Sequence, residues 1–210
     1  IEPESIIIDY PAYIKYKGMN DYRGGGFFSG RLTALWMVVG AISEQILKNH
    51  EIYIGSHLYS LKDIADTPFD FNTVDIEHIK NLNKKELMYE LILNAKKNLD
   101  SLGGIVESKI VNVPVGLGEP YFLSVESYIS HLLFSVPAVK AVEFGRGFEI
   151  TKHFGSEMND QYQIENNKIT TLSNNNGGIL GGLTTGRPII IKTAFKPTSS
   201  IAKTQKSVNL

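Results

Sequence analysis

The chain has 210 residues, a formal charge of −1, 42% hydrophobic and 20% charged residues, and no cysteine. That is enough apolar material for a folded core, without the basic excess of a broad nucleic-acid surface or a polybasic membrane patch. The lack of cysteine excludes disulfide scaffolds, thiolate nucleophiles, Fe–S clusters and cysteine-ligated zinc, and fits the cytosol.

No apolar run approaches the roughly 18 residues of a membrane span, and no basic-then-apolar leader opens the chain. Neither nucleic acid nor membrane is therefore an expected partner. In chain order, the segment from Ile6-Ile7-Ile8 to Tyr16 is aliphatic and aromatic but broken by Pro11, which predicts an edge strand or extended lead-in. A glycine-rich turn follows, with Gly24, Gly25 and Gly26 in a row. From Arg31 the spacing of Leu32, Leu35, Val38, Val39, Ile42, Ile46 and Leu47 predicts a helix ending near His50, with Ser29 at the N-cap position. On that helix, Trp36 and Met37 read as packing residues.

Glu51 to Ser60 reads as a short strand, and Lys62 to Asn81 as a polar connection interrupted by Pro68. Asn83 and Glu86 resemble a capping box before a stripe of Leu87, Leu91, Ile92, Ala95, Leu99 and Leu102 that Gly103-Gly104 would end. A strand is predicted over Ile105–Val115, a helix at about Ser124–Val136, and a strand over Ala138–Phe144. A polar excursion follows, and a last strand alternates Ile189, Ile191, Thr193 and Phe195 with Ile190, Lys192 and Ala194 before Pro197. Interleaved helices and strands joined by glycine-rich loops define an α+β fold with loop-built sites. No linker divides the chain, so residues 1–210 read as a single domain.

Three segments carry chemistry. In Asp21-Tyr22-Arg23-Gly24-Gly25-Gly26-Phe27-Phe28-Ser29-Gly30-Arg31, glycine N–H groups, a helix start and two arginines point to an anion site, although neither a Walker A loop nor a Rossmann fingerprint is present. Lys196-Pro197-Thr198-Ser199-Ser200 offers a lysine, a rigid proline and three hydroxyls, either as a phosphate or ribityl clamp or as an ordinary capped loop. The paired glycines of Asn174-Asn175-Asn176-Gly177-Gly178-Ile179-Leu180-Gly181-Gly182 would let backbone approach a flat ligand. The histidines lack metal-ligand spacing, so no metal site is expected; His131 reads as a packed or interface residue.

Together these stretches resemble chorismate synthases. The resemblance adds Pro114-Val115-Gly116-Leu117-Gly118-Glu119-Pro120, Ser130-His131-Leu132-Leu133-Phe134-Ser135, Pro137-Ala138-Val139-Lys140, Val142-Glu143-Phe144-Gly145 and Gly155-Ser156-Glu157. It implies a β-α-β sandwich with helices between antiparallel sheets, a homotetramer, and a lyase reaction dependent on reduced FMN. In that reaction 5-enolpyruvylshikimate 3-phosphate loses phosphate by 1,4-anti elimination to give chorismate, within aromatic amino-acid biosynthesis.

By motif, Phe27, Phe28, Ser29, Pro137, Ala138, Gly181, Lys196, Pro197, Thr198, Ser199 and Ser200 fall on the family's FMN contacts. Arg23, Gly30 and Arg31 fall on its substrate side. Phe27 departs from the polar or basic residue often found there. The family's Ser-His-Gly and His-Ala-Asp motifs, which carry its acid/base histidines, have no counterpart; Ile7 stands at the second histidine's position if Asp9 matches its aspartate. Its Gly-Arg-His-Asp-Pro stretch is also missing, so the chain is expected to be incomplete at both ends and its catalytic residues stay unassigned. Two readings are open: a chorismate synthase, with flavin reduced by a separate reductase or by its own NADPH-dependent activity, or a catalytically inactive flavin- or phosphate-binding derivative.

Overall fold

The structure, a computed structural model, describes residues 9–21, 23–72 and 83–206. The expectations for Ile6-Ile7-Ile8 and for residues 73–82, including His78, lie outside the described residues.

The centre is a five-stranded antiparallel sheet in the order β2-β1-β3-β9-β4. Its strands are β1 (Tyr53–Leu61), β2 (Ile64–Ala65), β3 (Gly104–Val111), β4 (Val139–Phe144) and β9 (Ile189–Phe195). Two small hairpins lie outside it: β5 (Tyr162–Glu165) with β6 (Lys168–Thr171), and β7 (Ile179–Leu180) with β8 (Leu183–Thr184). The helices are α1 (Asp9–Tyr16), α2 (Ala34–Asn49), α3 (Lys85–Lys97), α4 (Val125–Phe134) and the short α5 (Gly155–Met158).

Strand β9 is buried on both faces. Ile189 and Ile191 join Ile179 in a core closed by Val125, Ile129 and Leu133 of α4, while Ile190 points to the opposite face and is 0% exposed. Side chains alternate across a strand, so this double burial explains the nearly unbroken apolar run. Helix α4 starts where expected: Ser124 accepts the Ser127 N–H at 3.1 Å.

Several expectations need correction. The Asp9–Tyr16 segment is helical rather than extended, because Pro11 falls in the first turn, where a missing N–H leaves no helix bond unmade. Asn83 does not cap α3. Instead the Asp66 carboxylate accepts the N–H groups of Asn83, at 2.8 Å, and of Lys84, at 3.4 Å. Helix α3 stops at Lys97, before Gly103-Gly104, because Leu99 takes a left-handed backbone (φ 55°). Its inward face is Met88, Leu91 and Ala95, whereas Leu87 and Ile92 are exposed.

The asparagine run is a scaffold. Asp160 Oδ1 accepts Asn175 N–H and the Ser173 hydroxyl, both at 2.7 Å, and Oδ2 accepts Asn176 N–H at 2.9 Å. Asn174 donates to Pro188 C=O and Phe71 C=O and accepts Gly178 N–H. Gly177 and Gly178 are buried against their own chain; a Cβ on Gly178 would lie 2.6 Å from Pro188 O. The close backbone approach expected of these glycines is therefore made to protein, not to a ligand.

Burial would raise the Asp160 carboxyl, but the hydrogen bonds from Asn176, Ser173 and Asn175 outweigh it and hold the group below its ordinary value. A depressed carboxyl contributes stability that is present above its unfolded-state value and lost as pH falls through the folded one. Asp160→Asn should therefore cost about 2–3 kcal/mol at neutral pH. Below about pH 4 the gap from wild type should shrink, as checked by urea midpoints across pH.

Candidate functional site

The end of β9 brings two of the predicted segments together. β4 leaves α4 through Pro137-Ala138, and Ala138 holds φ 73°, a left-handed backbone that is costly for a residue with a Cβ. Its carbonyl accepts the Lys196 N–H at 2.9 Å, and the next ladder position pairs Val139 with Phe195. The half-buried Pro137-Ala138 step thus lies beside the start of Lys196-Pro197-Thr198-Ser199-Ser200, whose Thr198 and Ser200 are exposed. Lys196 bends back so that Nζ donates to Pro197 C=O at 3.4 Å. Backbone strain, a lysine and hydroxyls gathered at one corner make a candidate site for a polar, anionic ligand.

Gly181 sits elsewhere. With Gly182 (φ 61° and 85°) it forms the two-residue turn between β7 and β8, which requires left-handed residues. The Gly182 carbonyl caps the start of α4 by accepting Val125 N–H at 3.0 Å, whereas Pro137-Ala138 follow the other end of that helix. About 15 Å of helix separates the two. Gly181 is exposed, and no atom lies within 4 Å of where a Cβ would stand, so its surface is open to a ligand.

The glycine segment forms a 3-10 helix, Arg23–Phe28, followed by a second at Gly30–Thr33 with Ser29 between them. Ser29 Oγ accepts Arg31 N–H at 3.4 Å and caps that second 3-10 turn. But α2 itself begins only at Ala34, behind a Thr33 that makes no side-chain cap bond, so the helix expected to start at Arg31 under a Ser29 cap opens instead as a 3-10 turn. Gly26 has no room for a side chain, since a Cβ would be 2.6 Å from the Asp21 carbonyl. The two arginines differ. Arg23 makes a two-pronged ion pair with Asp21, Nε to Oδ1 at 2.9 Å and a terminal nitrogen to Oδ2 at 3.1 Å, which also holds the Asp21 carboxyl low. Arg31 is exposed and has no carboxylate partner among the described residues, so its guanidinium is available to an external anion. Phe27 is 90% exposed and Phe28 41%. Among the described residues, no hydrogen bond or ion pair joins residues 23–31 to 137–138 or 196–200.

A buried ionic row escaped the sequence reading. His57, Glu107, Lys192 and Glu143 are paired in register across β1, β3, β9 and β4. Glu107 is 0% exposed and accepts from His57 Nε2 at 2.9 Å and from Phe69 N–H at 2.7 Å. Lys192 Nζ lies 3.9 Å from Glu107 and 3.8 Å from Glu143, over the Tyr59 ring. Lys109 Nζ donates to Asp70 C=O at 2.7 Å. The row pins the 66–72 segment to the sheet face opposite α4. Its only sequence signal is charge at the same parity on strands that alternate.

Trp36 and Met37, expected to pack, are exposed with Leu35, Val38, Val39 and Ile42 of α2, and His131 is exposed on α4. No residue of α2 is buried, and residues 35–39 run all the way round the helix, so its apolar side chains are exposed on every side rather than along one face. Among the described residues, no helix is long and apolar enough to cross a membrane.

Sheet, helices and loop corner together define an α+β protein with a candidate site for a phosphate-bearing ligand. The family model for chorismate synthase matches residues 7–210, and the chain belongs to the chorismate synthase family. It is 46% identical over 208 residues to a chorismate synthase from Methanobrevibacter smithii, covering 96% of this chain and 57% of that protein. A chorismate synthase from Pyrococcus abyssi is 44% identical, with 96% and 58% covered. A crystal structure of chorismate synthase superposes with a TM-score of 0.80 at 32% identity, over 89% of this chain and 61% of that one. The chain thus spans somewhat over half the length of these curated relatives. The expected α+β class with antiparallel sheets agrees with that likeness.

The strained Ala138 makes its own prediction. Ala138→Gly should raise stability by about 0.5–1 kcal/mol, the left-handed cost of alanine less the added unfolded-state freedom of glycine. Thermal unfolding checks the sign.

Proposed function

We propose that the chain is part of a cytoplasmic chorismate synthase that converts 5-enolpyruvylshikimate 3-phosphate to chorismate and phosphate with reduced FMN. The observation that carries this reading is the 2.9 Å bond from Lys196 N–H to Ala138 C=O, which sets two of the motif-derived FMN segments side by side. When bound, reduced FMN supplies electron density as the C–O bond to phosphate breaks.

The chain's own residues bind and orient. Lys196 and the hydroxyls of Thr198, Ser199 and Ser200 hold the flavin's polar tail, with Pro137 and Ala138 as backbone surfaces beside it; Gly181, at the far end of α4, is carried over as a flavin contact by motif alone. On the substrate side, Gly30 leaves open space, with no atom within 4 Å of a Cβ position. Arg31 there meets phosphate or carboxylate with charge-assisted bonds. Arg23, paired with Asp21, shapes the turn and reaches substrate only by giving up that pair. Phe27, Phe28 and Ser29 are carried over as flavin contacts by motif alone, with Phe27 in the place of the usual polar or basic residue. Assembly as a homotetramer, carried by the resemblance, would cover exposed apolar side chains of α2 such as Leu35, Met37 and Val39.

The test uses the gene product that carries this chain. Phosphate release from 5-enolpyruvylshikimate 3-phosphate should require reduced flavin. Arg31→Ala should weaken substrate binding about tenfold to a hundredfold with the unfolding midpoint unchanged. No release with reduced flavin supplied would contradict the lyase reading; saturable flavin binding without turnover would favour the inactive derivative.

A further inference from the structure

The turn at residues 98–103, just before β3, belongs to none of the motifs above, yet it holds the hydroxyl loop at several points. Ser101 Oγ donates to Thr198 C=O at 2.5 Å. Asp100 accepts Ser101 N–H on Oδ1 at 2.9 Å and Lys203 Nζ on Oδ2 at 2.6 Å. Gly103 packs so closely against the loop's entry that a Cβ would lie 2.7 Å from Phe195 O and 2.8 Å from Pro197 Cδ. The stretch 197–203 is thus tied to one turn at its first two residues and at its last. Beyond Phe195 no sheet ladder supports it, and its other fixed points are Lys196 N–H on Ala138 and Gln205 Nε2 on Ser199 C=O. Between this turn, the last turns of α3 and Pro197 opens a cavity of about 330 Å³, lined in part by Asn94, Asn98 and Lys62.

We propose that Asp100 and Ser101 are positioning residues that hold Thr198-Ser199-Ser200 in the shape that receives the phosphate-bearing tail of FMN. The inference rests on the flavin reading of residues 196–200. The Lys203 and Asp100 side chains are 48% and 40% exposed, and an exposed pair contributes little to global stability. Its effect is local: without the turn, the loop samples other shapes, and the ligand bears the entropy of ordering it. Lys203, and the Ser101 N–H after it, hold the Asp100 carboxyl below its ordinary value, so the pair persists through neutral pH.

Three readouts on the gene product that carries this chain test this: amide hydrogen exchange at 198–203 without ligand, FMN affinity by quenching of flavin fluorescence, and the thermal midpoint. Ser101→Ala and Asp100→Asn should each speed exchange at 198–200 and weaken FMN about fivefold, with the midpoint unmoved. Ser101→Thr, which keeps the hydroxyl, should restore both, and the reversed pair Asp100→Lys with Lys203→Asp should recover most of the Asp100→Asn loss. Unchanged exchange in both single variants overturns the inference whatever FMN does. Unchanged FMN affinity in both, with wild-type binding intact, overturns it and leaves the flavin reading standing. A wild-type gene product that binds no FMN overturns the flavin reading and the inference together.

Discussion

Strand β9 is the constraint on which the rest depends. Its Ile189-Ile190-Ile191 run is buried on both faces, which fixes register with β3 on one side and β4 on the other, since a one-residue slip would send every side chain to the wrong face. In that register Lys192 falls between Glu107 and Glu143, and His57 falls beside Glu107. A buried carboxylate such as Glu107 persists only when paired, so this row selects one register over its neighbours. The same register sets Phe195 against Val139 and so delivers Lys196 to Ala138.

Around that strand the polar residues divide into two kinds. Asp160, Asn174, Asn175 and Glu107 are buried and spend their hydrogen bonds on protein, tying loops to the sheet. Arg31, Gly181, Thr198 and Ser200 are exposed; Arg31 and Gly181 face open surface, while the Thr198 carbonyl is held by Ser101. The first group fixes the 66–72 and 173–178 segments, whereas the hydroxyl loop, which has no ladder bonds, is held by Ser101 and Asp100.

What could be read from the sequence follows this division. β9 and α4 were legible because alternation and an N-cap serine are local signals, as were β1, β3 and β4. The Asp9–Tyr16 helix was not, because Pro11 penalises a helix interior but not a first turn. The end of α3 depends on one left-handed leucine, and its cap on Asp66, seventeen residues before Asn83. The glycine pair Gly177-Gly178 looked like a ligand cradle because close approach to protein and to ligand need the same missing Cβ. The ionic row joins residues 50 positions apart in His57 and Glu107, a pairing that only register reveals. For the site, motif resemblance named the segments, and the fold joined Pro137-Ala138 to Lys196–Ser200 while leaving Gly181 and residues 23–31 apart from them.

The central claim is that the corner where β4 meets the end of β9 receives the flavin. Amide-resolved NMR during FMN addition tests it most directly. Saturable shifts at Ala138, Val139, Lys196 and Thr198–Ser200 are predicted; shifts that leave these amides unmoved while others respond would contradict the account.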